Sequence, residues 1–260
     1  MLIRAERNWV TPADANGVAA QMAQAFNFTP AMGRALVARG LTDPAEIERF
    51  LQPRLEDLTD PFELPGMAKA VDLILQHIEQ GSSILVYGDY DVDGVTATAL
   101  MIEVLSALGA VATQFLPHRI EDGYGLGVET LHRCVEQYHP KLIITVDCGT
   151  SSVEAVEEAA RLGIDVVVTD HHEPATEGVA AACAIVNPKL GNCPEHVRML
   201  AGVGVAYKVC HGLITEARRR KMEGADSVDH HTFMDLVAIG TVADIVPLLH
   251  ENRILVYHGL

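Results

Sequence analysis

Three short runs rich in β-branched residues constrain this chain more than anything else in it. Ser83-Ile84-Leu85-Val86-Tyr87, Lys141-Leu142-Ile143-Ile144-Thr145-Val146 and Asp165-Val166-Val167-Val168-Thr169 are apolar at consecutive positions and too short for core helices. That is the pattern of strands buried on both faces of a parallel sheet. Each run closes on a polar cluster: Gly88-Asp89-Tyr90-Asp91-Val92-Asp93-Gly94, Asp147-Cys148-Gly149 and Asp170-His171-His172. In open α/β sheets, ligands bind beyond the carboxyl ends of the strands. The three acid-bearing ends therefore point to one site. A donor set of carboxylates with one or two imidazoles suits divalent manganese or magnesium.

Around these runs, strands and helices alternate from about residue 66 onward. Helices are predicted at 67–80, from Val95 to Leu108, near 128–138 and at 152–162. Strands are predicted at 83–88, 112–116, 141–147, 165–170 and 184–186, and two helices, about 202–221 and 231–244, close the chain. The fold class is α/β, a mainly parallel sheet with helices on both faces. Residues 1–65 read as a small helical N-terminal extension and linker ahead of a catalytic domain at 66–260. Thr11-Pro12-Ala13-Asp14 and Thr42-Asp43-Pro44-Ala45-Glu46 are helix starts, and the proline- and acid-rich 52–66 stretch is a linker laid over the surface. Ser151-x-x-Glu154 fits a capping box, which would aim a helix N-terminus at the site where it could help hold a phosphate.

Composition removes several function classes. The 260 residues are 49% hydrophobic and 21% charged, which supports a packed core. No apolar run approaches the ~20 residues of a membrane helix and Met1–Arg7 is not laid out as a signal peptide, so a cytoplasmic protein is the default. Five cysteines at irregular spacing, without a C-x-x-C pair, read as reduced thiols. A net charge of −16 argues against a generic nucleic-acid binder, although bound cations would reverse the local field. The basic run Arg218-Arg219-Arg220-Lys221 reads as a solvated helix end. The pair His230-His231, in a polar stretch, reads as surface.

In an extended loop the alternating Asp89, Asp91 and Asp93 share one side, a costly crowding of charge unless cations occupy it. The D-x-D-x-D-G opening also fits a calcium loop, but position twelve from Asp89 is Leu100 rather than glutamate. Asp147 alone would more often cap a helix than ligate a metal. Asp244 is the single acid of an apolar helical stretch and needs a cation, either a metal or an arginine. Nothing in the chain has Ser-His-Asp logic, a phosphate-binding G-x-x-x-x-G-K-[ST] loop or a G-x-G-x-x-G loop after a strand. Gly202-Val203-Gly204 is read as close backbone packing or a phosphate-facing helix start.

The segments Gly88–Gly94, Val146-Asp147-Cys148-Gly149, Asp170-His171-His172 and Ala243-Asp244 resemble the four motifs of the DHH-type phosphoesterases. Within them the chain resembles the RecJ family of single-strand-specific DNA exonucleases. Pro117–Leu126, Asn187-Pro188-Lys189 and Leu200–Ala206 are similar too, so the likeness runs from about residue 50 to 260. This resemblance implies two divalent cations, Mn²⁺ or Mg²⁺. Asp147 would bridge them, Asp89 and Asp91 would serve one, and Asp93, His171 and Asp244 the other. Asp89 stands where related pyrophosphatases and oligonucleotide hydrolases have histidine. His172, beside the scissile phosphate, and Asp147 would be the catalytic residues. Two metals ~3.5–4 Å apart can generate a hydroxide and stabilise the leaving oxygen without a protein nucleophile.

Arg119 would clamp a substrate phosphate, Tyr124 would stack on a base, and His172 would also touch substrate. The implied activity is 5′-to-3′ hydrolysis of single-stranded DNA in repair and recombination. Alternatives on the same fold are hydrolysis of oligonucleotides, cyclic dinucleotides or pyrophosphate, or an inactive replication-associated scaffold. RecJ-like proteins continue into a second substrate-binding domain and an OB-fold. The resemblance therefore implies a fragment, or reliance on a partner such as a single-strand-binding protein.

Overall fold

A computed structural model describes residues 17–260 except positions 124 and 177. The helix start expected at Thr11–Asp14, and Tyr124, lie outside the described residues. By contacts the chain divides between Arg54 and Leu55, whereas the sequence placed a boundary near residue 65. Part of the intervening segment is built into the larger unit rather than laid over its surface: Pro61 and Leu64 are buried. The Thr59 N–H donates to Glu251 Oε1 at 2.8 Å.

In the smaller unit, helices α1 (Val18–Ala25), α2 (Pro30–Val37) and α3 (Pro44–Leu51) gather Met22, Leu36 and Ile47 into a small core. Asp43 caps α3 through the Glu46 N–H, with Pro44 in the first turn as the sequence indicates.

The larger unit runs α4 (Met67–Glu79), β1 (Ser83–Tyr87), α5 (Val92–Ala107), β2 (Val111–Phe115), α6 (Val128–Tyr138), β3 (Leu142–Val146), α7 (Val153–Arg161), β4 (Asp165–Thr169), β5 (Ala184–Val186), α8 (Gly202–Arg220), α9 (Met234–Ala243) and α10 (His250–Gly259). The five strands are all parallel, in the order β2-β1-β3-β4-β5. Strand residues alternate between two cores. Ile84, Val86, Ile144 and Val167 face the core shared with α4, α5 and α8, while Leu85, Tyr87, Ile143 and Val168 face α6 and α7. Both faces are covered, which is why the strand runs are continuously apolar.

Three boundaries depart from the sequence reading. Helix α5 begins at Val92, not Val95, because Asp91 caps it by accepting from the Gly94 N–H. Helix α9 begins at Met234 after a short 3-10 turn at His230–Phe233. A third closing helix, α10, follows Pro247, and its apolar side packs Ile254 and Leu255 inward. No helix of the described residues is long and apolar enough to cross a membrane.

Candidate metal centre

Ladder register builds the site. Tyr87 pairs with Thr145, and Thr145 with Val168. Two residues further on, Asp89, Asp147 and Asp170 leave three neighbouring strands side by side. The order of the sheet reverses between β1 and β3, the crevice where doubly wound sheets take their ligands. The ladder continues to the acids themselves: the Asp147 N–H donates to Thr169 O at 2.9 Å and the Asp170 N–H to Val186 O at 3.1 Å.

The acids of the first segment do not share one side of an extended loop. Asp91 caps α5 and Asp93 lies in its first turn, so the two point to different partners. Donor atoms of Asp89, Asp91 and Asp147 lie within 4.8 Å of one another, and so do those of Asp93, His171 and Asp244. Asp147 and His171 link the two groups, with Asp147 Oδ1 3.2 Å from His171 Nε2. His171 Nε2 is also 3.8 Å from Asp244 Oδ2 and 3.9 Å from Asp93 Oδ2. The nearest ionic neighbour of Asp244 is thus an imidazole, not an arginine.

Asp93 is held by α8. Its carboxylate accepts from the Gly202 N–H at 2.6 Å and the Val203 N–H at 2.8 Å, so the first orphan amides of that helix are spent on it. A Cβ at Gly202 would collide with Asp147 Oδ1. The Gly-x-Gly stretch is therefore close backbone packing, with its amides occupied by an aspartate rather than facing open space. Asp147 itself is left-handed, with φ 61, in the reversal after β3. Aspartate tolerates that conformation better than most residues.

Burial dominates the electrostatics. With Asp93 and Asp91 close by, burial pushes the Asp147 carboxyl up to about 10. It pushes Asp93 up to about 6 although the Val203 N–H pulls it down. Burial also raises Asp89 and Asp244. Asp147 Oδ1, His171 Nε2 and Asp244 Oδ2 are buried without a hydrogen-bond partner. Such crowding is uphill for ions alone and natural for cation ligands. The donor set of oxygen atoms with one imidazole fits Mn²⁺ or Mg²⁺.

Asp170, which the sequence reading placed at a strand end without giving it a role of its own, orients the two histidines. Its Oδ1 accepts from the His171 N–H at 2.7 Å, the His172 N–H at 3.1 Å and His172 Nδ1 at 2.8 Å. Its Oδ2 accepts from the Thr150 N–H at 2.9 Å. Burial would raise Asp170, but the His172 ring and the Thr150 amide hold it below its ordinary value. The same bond raises His172 against the effect of burial. With a carboxylate as acceptor, His172 Nδ1 carries the hydrogen. Asn187 completes the frame, donating to Thr150 Oγ1 and His172 O. The sequence signal for Asp170 was its place at the head of the Asp-His-His triplet, on a strand end.

The expected capping box does not form. Ser152 is the N-cap of α7 without a side-chain bond, and Ser151 Oγ accepts from the Ala175 N–H at 2.9 Å. The loop after β4 folds over that corner and takes the serine.

Arg119 is exposed, its guanidinium 5.3 Å from the centroid of the Tyr90 ring. Asp91, Tyr90 and Arg119 line a groove of about 450 Å³ with Leu116, Pro117 and His118. The basic run ends α8 as expected. Arg220 pairs with Asp72, Glu79 and Glu216, and Arg219 with Glu216. The surface reading of His230-His231 is half wrong: His231 is exposed, but His230 is 9% exposed, covered by His211 and Tyr207 of α8.

Fold and site together define a parallel α/β domain with a carboxylate-rich candidate centre for divalent cations. Residues 83–241 match the family model for the DHH family, N-terminal domain, and the chain belongs to that family. Among curated relatives, the single-stranded-DNA-specific exonuclease RecJ of Bacillus subtilis is 40% identical over 239 residues, 92% of this chain and 29% of its own length. The Escherichia coli RecJ is 41% identical, over 89% of this chain and 40% of its own length. The chain thus spans well under half the length of these relatives. A solved exonuclease RecJ bound to manganese matches with TM-score 0.67 and 35% identity, covering 79% of this chain and 49% of that one. The RecJ of Thermus thermophilus in complex with Mn²⁺ matches with TM-score 0.74 and 30% identity, over 96% and 34% respectively.

Proposed function

We propose that this chain is the catalytic part of a metal-dependent exonuclease that hydrolyses phosphodiester bonds of single-stranded DNA from the 5′ end. The observation that carries the proposal is the meeting of Asp147 Oδ1 and His171 Nε2, from neighbouring strand ends, with Asp244 Oδ2 from the end of α9, all three buried without a hydrogen bond. Asp89, Asp91 and Asp147 would hold one divalent cation, and Asp93, His171 and Asp244, with Asp147 shared, a second. Mn²⁺ or Mg²⁺ would lower the pKa of water and offset charge on the reacting phosphate. His172, oriented by Asp170, would in its protonated form donate from Nε2 to a phosphate oxygen. Arg119, beside the Tyr90 ring, offers its fork to a neighbouring phosphate, and Tyr124 is assigned to base stacking.

The names and metal-bound states of the relatives support this reading, and so does the charge. At net −16 the chain has no general attraction for DNA. The basic grip is assigned to further domains or to a partner such as a single-strand-binding protein, in cytoplasmic repair and recombination. The test is a substrate panel with Mn²⁺: 5′- and 3′-labelled single strands, duplex DNA, a cyclic dinucleotide and pyrophosphate. Mononucleotide release from the 5′ end of single strands, lost in Asp244→Ala and weakened in Arg119→Ala, is the expected result. Turnover confined to the dinucleotide or pyrophosphate would overturn the DNA assignment.

A further inference from the structure

A second group of donors lies away from this centre, at the turn that leads into α9. Asp229 Oδ1 accepts from His231 Nδ1 at 2.9 Å, a hydrogen bond whose proton an ion would displace, and lies 3.6 Å from His230 Nδ1; one donor atom from each residue falls within 4.8 Å of the others. His230 Nδ1 is buried without a hydrogen-bond partner, although a carboxylate oxygen stands beside it. Zinc bonded at about 2.0–2.1 Å sets the donors of a tetrahedron roughly 3.3 Å apart. The two measured spacings bracket that figure. His211 supplies no further ligand in its present position: its ring lies flat on His230 at 4.0 Å with an interplanar angle of 10°, whereas the His231 ring, also 4.0 Å from His230, is tilted by 35° and brings its Nδ1 to Asp229. It acts instead as a wall, with Tyr207 5.6 Å from the same ring.

We infer that Asp229, His230 and His231 form a second metal site, selective for a borderline transition ion such as Zn²⁺ and separate from the carboxylate-rich centre. Two imidazoles and one carboxylate suit Zn²⁺ better than Mg²⁺ or Mn²⁺. The buried Nδ1 of His230, which has no hydrogen-bond partner, can ligate as a neutral imidazole. Arg218 opposes the ion weakly, since its guanidinium is committed to Ala225 O and Val228 O. Asp229 already has a structural task as the cap that accepts from the His231 N–H at 3.0 Å. The ion would fasten this turn, and through it the start of α9.

The test separates capping from ligation. Zn²⁺ and Co²⁺ are titrated into the full chain carrying Asp147→Asn, which disables the other centre, with calorimetry, cobalt d–d absorption and melting as readouts. The expected result is one Zn²⁺ per chain, a tetrahedral cobalt spectrum and a higher melting temperature with zinc. Asp229→Asn keeps a good cap, and His231→Ala alters an exposed side chain. Each should weaken uptake by at least the ~10-fold that loss of an outer-shell partner costs. Absence of zinc uptake in the Asp147→Asn background, or uptake unchanged by both substitutions, overturns the assignment.

Discussion

Replacing Asp147 with asparagine should stabilise the metal-free protein. Asp147 is 1% exposed, and its carboxyl is displaced from 3.8 to about 10. An acid raised in the folded state binds more protons folded than unfolded between those two values. Stability contributed by this group is therefore complete below about pH 4 and is lost as pH rises toward 10. At pH 7 the unfolded chain has released the proton and the folded chain has kept it. That mismatch is worth about 4 kcal/mol if Asp147 alone carries the proton, and about 2 kcal/mol if Asp93 shares it. Asparagine has the same shape, tolerates the left-handed backbone and carries no such penalty. In chelator, Asp147→Asn should melt roughly 5–15 °C higher than the wild type at pH 7. The gap should narrow toward pH 5, and divalent ions should cease to stabilise the variant. Melting curves from pH 5 to 8.5, with and without Mn²⁺, make the measurement. A variant that melts lower than the wild type at pH 8 in chelator, or a gap that does not change with pH, would refute the reasoning.

Three further outcomes are expected. Gly202→Ala drives a methyl into Asp147 Oδ1, so calorimetry should show Mn²⁺ affinity falling at least ~10-fold with little change in the circular dichroism of the fold. The buried pair Lys208–Glu251, 2.7 Å apart, predicts that Glu251→Gln costs about 3–5 kcal/mol in urea unfolding, while Lys208→Met combined with Glu251→Leu costs far less. Asp170→Asn removes the charge that fixes His172 Nδ1–H and sets an NH2 group against the Thr150 N–H, so kcat on single-stranded DNA should fall by roughly 10–100-fold while Arg119-dependent KM stays near the wild-type value.

The strands were legible because parallel pairing buries both faces. Ile84 through Tyr87 and Leu142 through Ile144 therefore had to be apolar without a break. The ends of those strands were legible for the same reason, since an acid after such a run has to find a partner. What stayed hidden depends on contacts distant in sequence. Nothing near Ser151 shows that the Ala175 amide will claim its hydroxyl. The polar neighbours of His230 conceal that Tyr207 and His211 will cover it. Asp91 and Asp93 were misplaced onto one side because a cap only one residue long decides where α5 starts. Asp170 reads as one more acid until its four hydrogen bonds are counted.

The amides of Asp147 and Asp170 belong to the sheet's own ladder, bonded to Thr169 and Val186. Moving the backbone of Asp147 or Asp170 must therefore break ladder bonds between β3 and β4 or between β4 and β5. Their amide protons should exchange with solvent as slowly as those of the innermost strand residues. Under the proposed function, the two acids would present a fixed anvil to the substrate.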